Sequence, residues 1–445
     1  MVVSALILNV LVFAALVLFL IGRGYLSIYS GLFLYLAFHF IAFVQRPLAV
    51  YLFDIRSIFT YMKYMPDDYG FIQALFVANV GLFSFVFFYL AALRFQPIRP
   101  TFEPPALSAV ERRSFGLAFL LLSPLIVYSF FLAFTMRQQY GAMVFHELSR
   151  LNLSIDPTTG VYLFNDTTAY VVNARNFAFP FATLLVFLGR GRWWSAIPLL
   201  FCAFVALQVG TRWPIVIAML VLIMMVLYLH RRRSFTLTHY ALMAFVLVAF
   251  IMVGHNREAL VRLLLNGEIE FHFDLARSSF GEHPDFSLFE CLTYIIAKVP
   301  TVSQTYSYFT QYLGLFTQPI PRMLWPGKPV GSPVVWVNLE SYGRFSPLST
   351  SIVGDGWISL GYAGVAITTG VVGALYGWLY RRFCNPSATI YYVLAYFWML
   401  ALLLQWARDG GYAIADFFFF CLSPILLAYV LYRVPLFRLD KSFAR

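Results

Sequence analysis

Eleven stretches of this sequence are apolar over a length that matches the thickness of a bilayer. They fall at roughly 4–21, 25–45, 70–93, 114–135, 168–188, 193–209, 213–229, 237–254, 357–380, 388–407 and 413–432, and a helix needs about 20 such residues to cross the hydrocarbon core. A fold in water could not use them. Only 11% of the chain is charged and 61% is hydrophobic, against roughly 25% charged in soluble domains, which leaves too little polar surface to cover an exterior. Lipid removes that need, and within lipid the backbone must satisfy itself in helices or closed barrels. The runs are of helical length, so the expected fold is all-α: a polytopic transmembrane helix bundle of about eleven spans. The first run is preceded by Met1-Val2-Val3-Ser4 with no basic segment, so it is expected as a retained span and not a signal peptide.

The basic residues orient the bundle. One set of connections carries Arg23; Arg94, Arg99, Arg112 and Arg113; Arg190 and Arg192; Arg231, Arg232 and Arg233; Arg381 and Arg382; and Arg433, Arg438, Lys441 and Arg445. Its only acids are Glu103, Glu111 and Asp440, so the alternate set holds the other 17 of the 20 acidic residues. The first set is expected on the cytoplasmic side, and the net charge of +11 then reports topology and not nucleic-acid binding. The chain divides into an N-terminal bundle (1–254), a large outer loop (255–356) and C-terminal spans (357–445). Within the loop, Arg257–Leu265, Leu288–Val299 and Val302–Phe316 are expected as short helices. The stretch Pro319-Ile320-Pro321-Arg322-Met323-Leu324-Trp325-Pro326-Gly327-Lys328-Pro329 is expected as a rigid extended segment, because its prolines forbid helix.

Polar residues inside spans are costly, so their placement is informative. Arg175, Gln208, Gln405, Asp416 and His39 fall in the outer halves of their runs, and Asn173 and Asn176 flank Arg175. A transporter places polar groups at the midplane. This distribution instead suits chemistry at the outer surface.

Three constellations carry the candidate chemistry. Gly210-Thr211-Arg212-Trp213-Pro214 is a tight outer turn opening a helix, where free N–H groups and Arg212 favour an anion; a snorkelling arginine is the plain alternative. The loop cations Arg257, Arg262, Arg277, Arg322, Arg344, Lys298 and Lys328 form a second set, in which Arg257 and Arg322 are the better phosphate candidates and surface ion pairs the alternative. Gly354-Asp355-Gly356-Trp357 opens a span, and Asp355 is either an N-cap or a base for an acceptor hydroxyl. Asp355, Glu290 and Asp409 are the candidate bases, in that order. Arg408 and Asp409 share an outer turn, where they can simply pair. Asp67 and Asp68 fit either a metal-binding pair or a turn after Pro66. The three histidines of the loop lack ligand spacing, and the four cysteines lack paired spacing. No nucleotide loop, serine-nucleophile motif or HExxH is present, which argues against an ATP-driven pump or a zinc protease.

The "GxR" turn at 210–212, the large loop after the eighth span, the Pro-Ile-Pro-Arg-Met-Leu-Trp-Pro-Gly-Lys-Pro segment and the Gly-rich entry Gly354–Gly364 together resemble the Wzy-type oligosaccharide repeat-unit polymerases of bacteria. The resemblance implies a GT-C-like membrane glycosyltransferase of the inner membrane with its active face periplasmic. Its donor would be a glycan on undecaprenyl pyrophosphate and its acceptor a single lipid-linked repeat unit, the product being O-antigen or a related polysaccharide. Arg212, Arg257, Arg322 and Lys328, with Arg175 and Arg408, would neutralise the pyrophosphate, and neither metal nor cofactor is expected. A Wzz-type co-polymerase and a Wzx-type flippase are the partners it implies. The chain departs from the Arg-x10-Gly pattern of some relatives, since Arg150–Gly160 and Arg257–Gly267 are one residue short. O-antigen ligases share the architecture but place a histidine before the next span, where this chain reads Pro347-Leu348-Ser349-Thr350.

Overall fold

A computed structural model describes residues 1–102, 105–151, 171, 173–208, 213–236, 286–317, 320, 324–325, 333–345 and 348–434. The described residues form helices and no strand. In chain order these are α1 (Val2–Gly22), α2 (Gly31–Leu52), α3 (Ser57–Met62), α4 (Asp68–Ala92), α5 (Ala109–Leu151), α6 (Ala178–Leu188), α7 (Ile197–Gln208), α8 (Trp213–Leu229), α9 (Leu288–Lys298), α10 (Thr310–Thr317), α11 (Pro333–Trp336), α12 (Ser351–Phe383), α13 (Ile390–Asp409) and α14 (Ala415–Arg433).

Six of these helices are long and apolar enough to cross a membrane: α1, α2, α4, Ala109–Leu132 of α5, α12 and α13. Four shorter apolar helices, Ala174–Leu188, Trp193–Ala203, Val216–Leu229 and Phe417–Arg433, fall on four more of the expected runs. At 10–17 residues they are below the roughly 20 that a straight span needs. The eleventh run, 237–254, lies outside the described residues. The helix α13 is enclosed on nearly all sides and forms the centre, whereas α1 and α5 leave most of their apolar surface uncovered. On α1 that surface includes Ile7, Leu8, Leu11, Leu18 and Phe19, the composition a lipid-facing helix requires.

Among the described helices, α4 and α12 make the most extensive contact. Gly370, Gly373 and Gly377 recur every three or four residues, which places them on one helix face. A Cβ on Gly377 would stand 2.5 Å from the Tyr89 carbonyl oxygen, one on Gly370 would stand 2.7 Å from the Phe88 ring, and one on Gly373 would collide with the Phe85 carbonyl. Small residues let two backbones approach where no hydrophobic force drives association in lipid. Gly373→Leu is therefore expected to separate α4 from α12 and to lower the thermal unfolding midpoint of the detergent-solubilised protein by many degrees. An unchanged midpoint would contradict this packing.

The connections expected to share one side meet at one end of the bundle. Tyr25 donates to the Phe95 carbonyl at 2.7 Å, Tyr29 to the Arg232 carbonyl at 2.6 Å and Tyr380 to the Ile98 carbonyl at 3.2 Å. Gly191 abuts the His230 ring, and the Arg233 guanidinium stands 6.0 Å over Phe102. Segments from the alternate set meet elsewhere, through Arg46 with Glu290, Trp357 with the Val299 carbonyl and Ser349 with Asp409.

Two loop expectations change. Leu288–Val299 is helical almost as expected, but Val302–Phe316 is not one helix. Turns occupy its first half, with Gln304, Tyr308 and Phe309 at φ of 56°, 49° and 62°, and α10 begins only at Thr310. Left-handed backbone at a bulky residue ends helix. The loop also does not run to 356, because the chain is already helical from Ser351.

Candidate functional site

The Gly-rich entry to α12 is a helix folded back on itself. Regular geometry fails at Leu360 (φ −165°, ψ 38°) and Gly361 (φ 58°, ψ −139°), a conformation at Gly361 that suits a residue without Cβ. The break leaves a short arm, residues 351–359, and a long arm from 362 onward. The arms touch backbone to backbone. A Cβ on Gly356 would stand 2.6 Å from the Val365 Cα, and one on Gly364 would collide with the Gly356 carbonyl.

Neighbouring segments hold the short arm. The Trp357 indole donates to the Val299 carbonyl at 2.8 Å. The last carbonyls of a helix lack intrahelical donors, and here Ser307 N–H donates to Ile358 O at 2.8 Å and Tyr308 N–H to Ser359 O at 3.1 Å. The Gln311 amide donates to the Ser359 hydroxyl oxygen at 2.6 Å, and Ser307 donates to the Gln311 side-chain oxygen at 2.9 Å.

Asp355 lies within this arm and is buried. It is not an N-cap, because Thr350 holds that position. Its carboxylate accepts from the Thr350 hydroxyl at 2.6 Å and from the Gly411 N–H at 2.8 Å. Gly410 has φ 84°, and a Cβ there would strike the Asp355 carboxylate. The turn Arg408-Asp409-Gly410-Gly411 thus brings its backbone against a carboxylate that no side chain at 410 would allow. Asp409, in the same turn, accepts from Ser349 at 2.7 Å and pairs with Arg408 at 2.6 Å. Both members of that pair keep some exposure, at 17% for Arg408 and 12% for Asp409. Asp355, Asp409 and Arg408 therefore form one group, closed by Ser349 and Thr350.

The remaining site candidates are placed elsewhere. Glu290 lies on α9 and is fully buried against Arg46 of α2. Arg46 Nε donates to both carboxylate oxygens, at 2.9 and 3.2 Å, and Nη2 also donates. Burial pushes the Glu290 carboxyl up, and the Arg46 hydrogen bond and charge act against that rise. This geometry ties α9 to the bundle and leaves Glu290 no open face. Arg175 is buried in the 3-10 turn Ala174–Phe177, where its N–H donates to Ser129 at 2.8 Å, in contact with α5 and α14. Arg212, Arg257, Arg322 and Lys328 lie outside the described residues, as do the Gly210–Arg212 turn and most of the proline segment. Asp67 is the N-cap of α4 and accepts from Gly70 N–H at 2.7 Å, the turn role expected as its alternative. Among the described residues no group of three His, Cys, Asp or Glu is placed to hold a metal. All four cysteines are buried and unpaired.

Several residues that hold the site and the helices around it were not legible as candidates. Arg46 sits in what reads as loop 46–69, yet α2 continues through a π-helical stretch, Phe40–Gln45, to Leu52. Its one signal is a charge at the end of an apolar run. Thr350 and Gln311, which bond Asp355 and Ser359, carry no motif at all. His39 is fully buried among Phe13, Tyr35 and Phe43, deeper than its place in the run implies.

The chain matches no protein-family model, no curated protein and no solved structure at a significant level.

Proposed function

We propose that this chain is a membrane glycosyltransferase of GT-C-like build, with about eleven spans, that polymerises undecaprenyl-pyrophosphate-linked repeat units into O-antigen or a related surface polysaccharide. It would work at the periplasmic face of the inner membrane. The observation that carries this is the group Asp355, Asp409 and Arg408, gathered around a glycine turn and a broken helix away from the arginine-rich end of the bundle.

The proposed chemistry needs little beyond these residue types. An acceptor hydroxyl attacks the anomeric carbon of the donor glycan. The bond from that carbon to the pyrophosphate oxygen breaks, and undecaprenyl pyrophosphate leaves with the electron pair. The hydroxyl proton passes to a carboxylate, for which Asp355 is the first choice and Asp409 the second. Cationic side chains that meet the growing charge on the leaving group supply much of the rate. Arg408, beside the carboxylates, is proposed for that role, and Arg212, Arg257, Arg322 and Lys328 complete the proposed clamp, with Arg175 as a further candidate. Glu290 takes a positioning role in this scheme, because Arg46 already occupies its carboxylate.

The glycolipid ladder of a host strain lacking the gene tests the proposal. The expected result is lipid A core capped by one repeat unit at most. Loss of every unit, the first included, would overturn it in favour of a ligase or flippase. Polymerisation by the reconstituted protein is expected to survive EDTA, and its abolition would return Asp67 and Asp68 to consideration as metal ligands.

A further inference from the structure

Tyr312, on α10, lies with its ring against Gly411, the residue whose N–H holds Asp355. The Tyr312 hydroxyl faces two other polar groups, the Thr368 hydroxyl on the long arm of α12 and the Trp406 indole N–H on α13, and the Asp355 carboxylate is near enough to act on it electrostatically. All three polar atoms are shielded from solvent, and none makes a hydrogen bond of regular length and angle; Thr368 and Trp406 come only close enough to the Tyr312 hydroxyl for a weak interaction with it. Leaving one such group unpaired costs about 1–3 kcal/mol. Native interiors pair nearly all of them, and each exception asks for an explanation. Here three exceptions come from three separate helices and converge beside a carboxylate.

The chemistry of the three groups limits what would satisfy them. The indole N–H only donates, and the two hydroxyls donate or accept. A metal ion would gain no lone pair from the indole. A phosphate would find no cation in the set and would be repelled by Asp355, while the Arg408 guanidinium of the adjoining turn is paired with Asp409. A neutral hydroxyl fits. It accepts from the indole or from a side-chain hydroxyl, and its own proton points to an acceptor.

We propose that the Tyr312 hydroxyl, the Thr368 hydroxyl and the Trp406 indole N–H form a subsite for a hydroxyl of the acceptor sugar, next to Asp355. This rests on the glycosyltransferase reading and adds to it which end of the reaction these residues serve: they hold the neutral acceptor, not the pyrophosphate. Tyr312 is both ligand and cover. It is carried by an eight-residue helix whose Leu313 and Phe316 are exposed, so α10 is the wall that moves when a sugar enters.

The test uses the full-length protein in detergent micelles and in proteoliposomes. The probe is the free repeat-unit oligosaccharide, released by mild acid from the host's lipid-linked pool. Tyr312→Phe and Thr368→Val each remove one hydroxyl at nearly constant volume. Each is expected to weaken oligosaccharide binding about tenfold, the equivalent of about 1.4 kcal/mol, and to raise the apparent KM for repeat unit in polymerisation. Inorganic pyrophosphate should inhibit the variants and wild type alike. A purely structural cluster predicts the opposite pattern: the same substitutions would raise the unfolding midpoint, by removing unsatisfied groups, and leave binding untouched. Wild-type binding in both variants overturns the subsite, and so does a polymerising wild type that binds no free oligosaccharide. A wild type that neither binds nor polymerises overturns the glycosyltransferase reading and the subsite with it. Binding that is lost in the variants of a protein that forms no polymer keeps the sugar subsite and overturns the polymerase reading.

Discussion

Arg46→Ala is expected to destabilise the protein by about 3–5 kcal/mol, the range seen when one partner of a buried ion pair is removed. Arg46 and Glu290 are 5% and 0% exposed, so water cannot replace the lost guanidinium. Glu290 is left as a bare carboxylate between α2 and α9, and α9 is the element that supports the short arm of α12, through Ile295 on Gly354 and the Val299 carbonyl on Trp357. The measurement is the unfolding midpoint in micelles. Arg46→Met combined with Glu290→Leu should recover most of the loss, because a well-packed apolar pair replaces a buried ion pair at little cost. The single variant should also depend on pH. Burial raises the Glu290 carboxyl in the folded state, and without Arg46 that rise goes unopposed. The folded protein then binds the extra proton more readily than the unfolded chain, so stability falls as pH rises. The penalty is smallest below the ordinary carboxylate range and complete above the raised value. An Arg46→Ala protein as stable as wild type at neutral pH would show that the pair does not hold α9.

The same pair shows where sequence reasoning stops. Hydropathy places helices because each span must be apolar along its own length, and the runs at 4–21, 70–93 and 388–407 return as α1, α4 and α13. It ended the second run at 45 because an arginine follows. The helix nevertheless continues to Leu52, since the charge is neutralised by a glutamate 244 positions away. No local pattern encodes a partner at that separation. The shortening of the expected helix 302–316 has a different cause. Its residues are apolar enough, but the Ser307 and Tyr308 N–H groups satisfy the end of the short arm of α12 and are drawn out of helical register, and helix resumes only at Thr310.

The glycines were legible in part. Gly354-Asp355-Gly356 reads as a span entry and Gly410-Gly411 as part of an outer turn, and in the structure both bring a backbone close to a neighbour. What the close approach serves was not legible, because it depends on the break at Gly361 turning residue 356 onto residue 364. That break also decides between the two meanings of Asp355. With Thr350 at the N-cap position and the Asp355 carboxylate turned to Gly411 N–H, the aspartate is not spent on starting its own helix. It is presented to the turn that carries Arg408 and Asp409.

Asp355→Asn separates a chemical role for this aspartate from a structural one. An asparagine can keep its one oxygen on the Gly411 N–H and turn its NH2 to the Thr350 hydroxyl, which then accepts instead of donating; its size hardly differs, so the fold should stand and the unfolding midpoint should shift little. It cannot take a proton at neutral pH. If Asp355 is the base, polymer formation in proteoliposomes falls by about 100-fold to 10,000-fold, the usual share of a positioned acid or base. Asp409→Asn loses the ion pair with Arg408 but keeps Asp355, so its expected loss is smaller. Gly410→Ala probes the same geometry without touching a titratable group, since its methyl would push the Asp355 carboxylate off the Gly411 N–H. Full polymer from Asp355→Asn together with none from Asp409→Asn would move the base to Asp409 and leave Asp355 as the strut that shapes its turn.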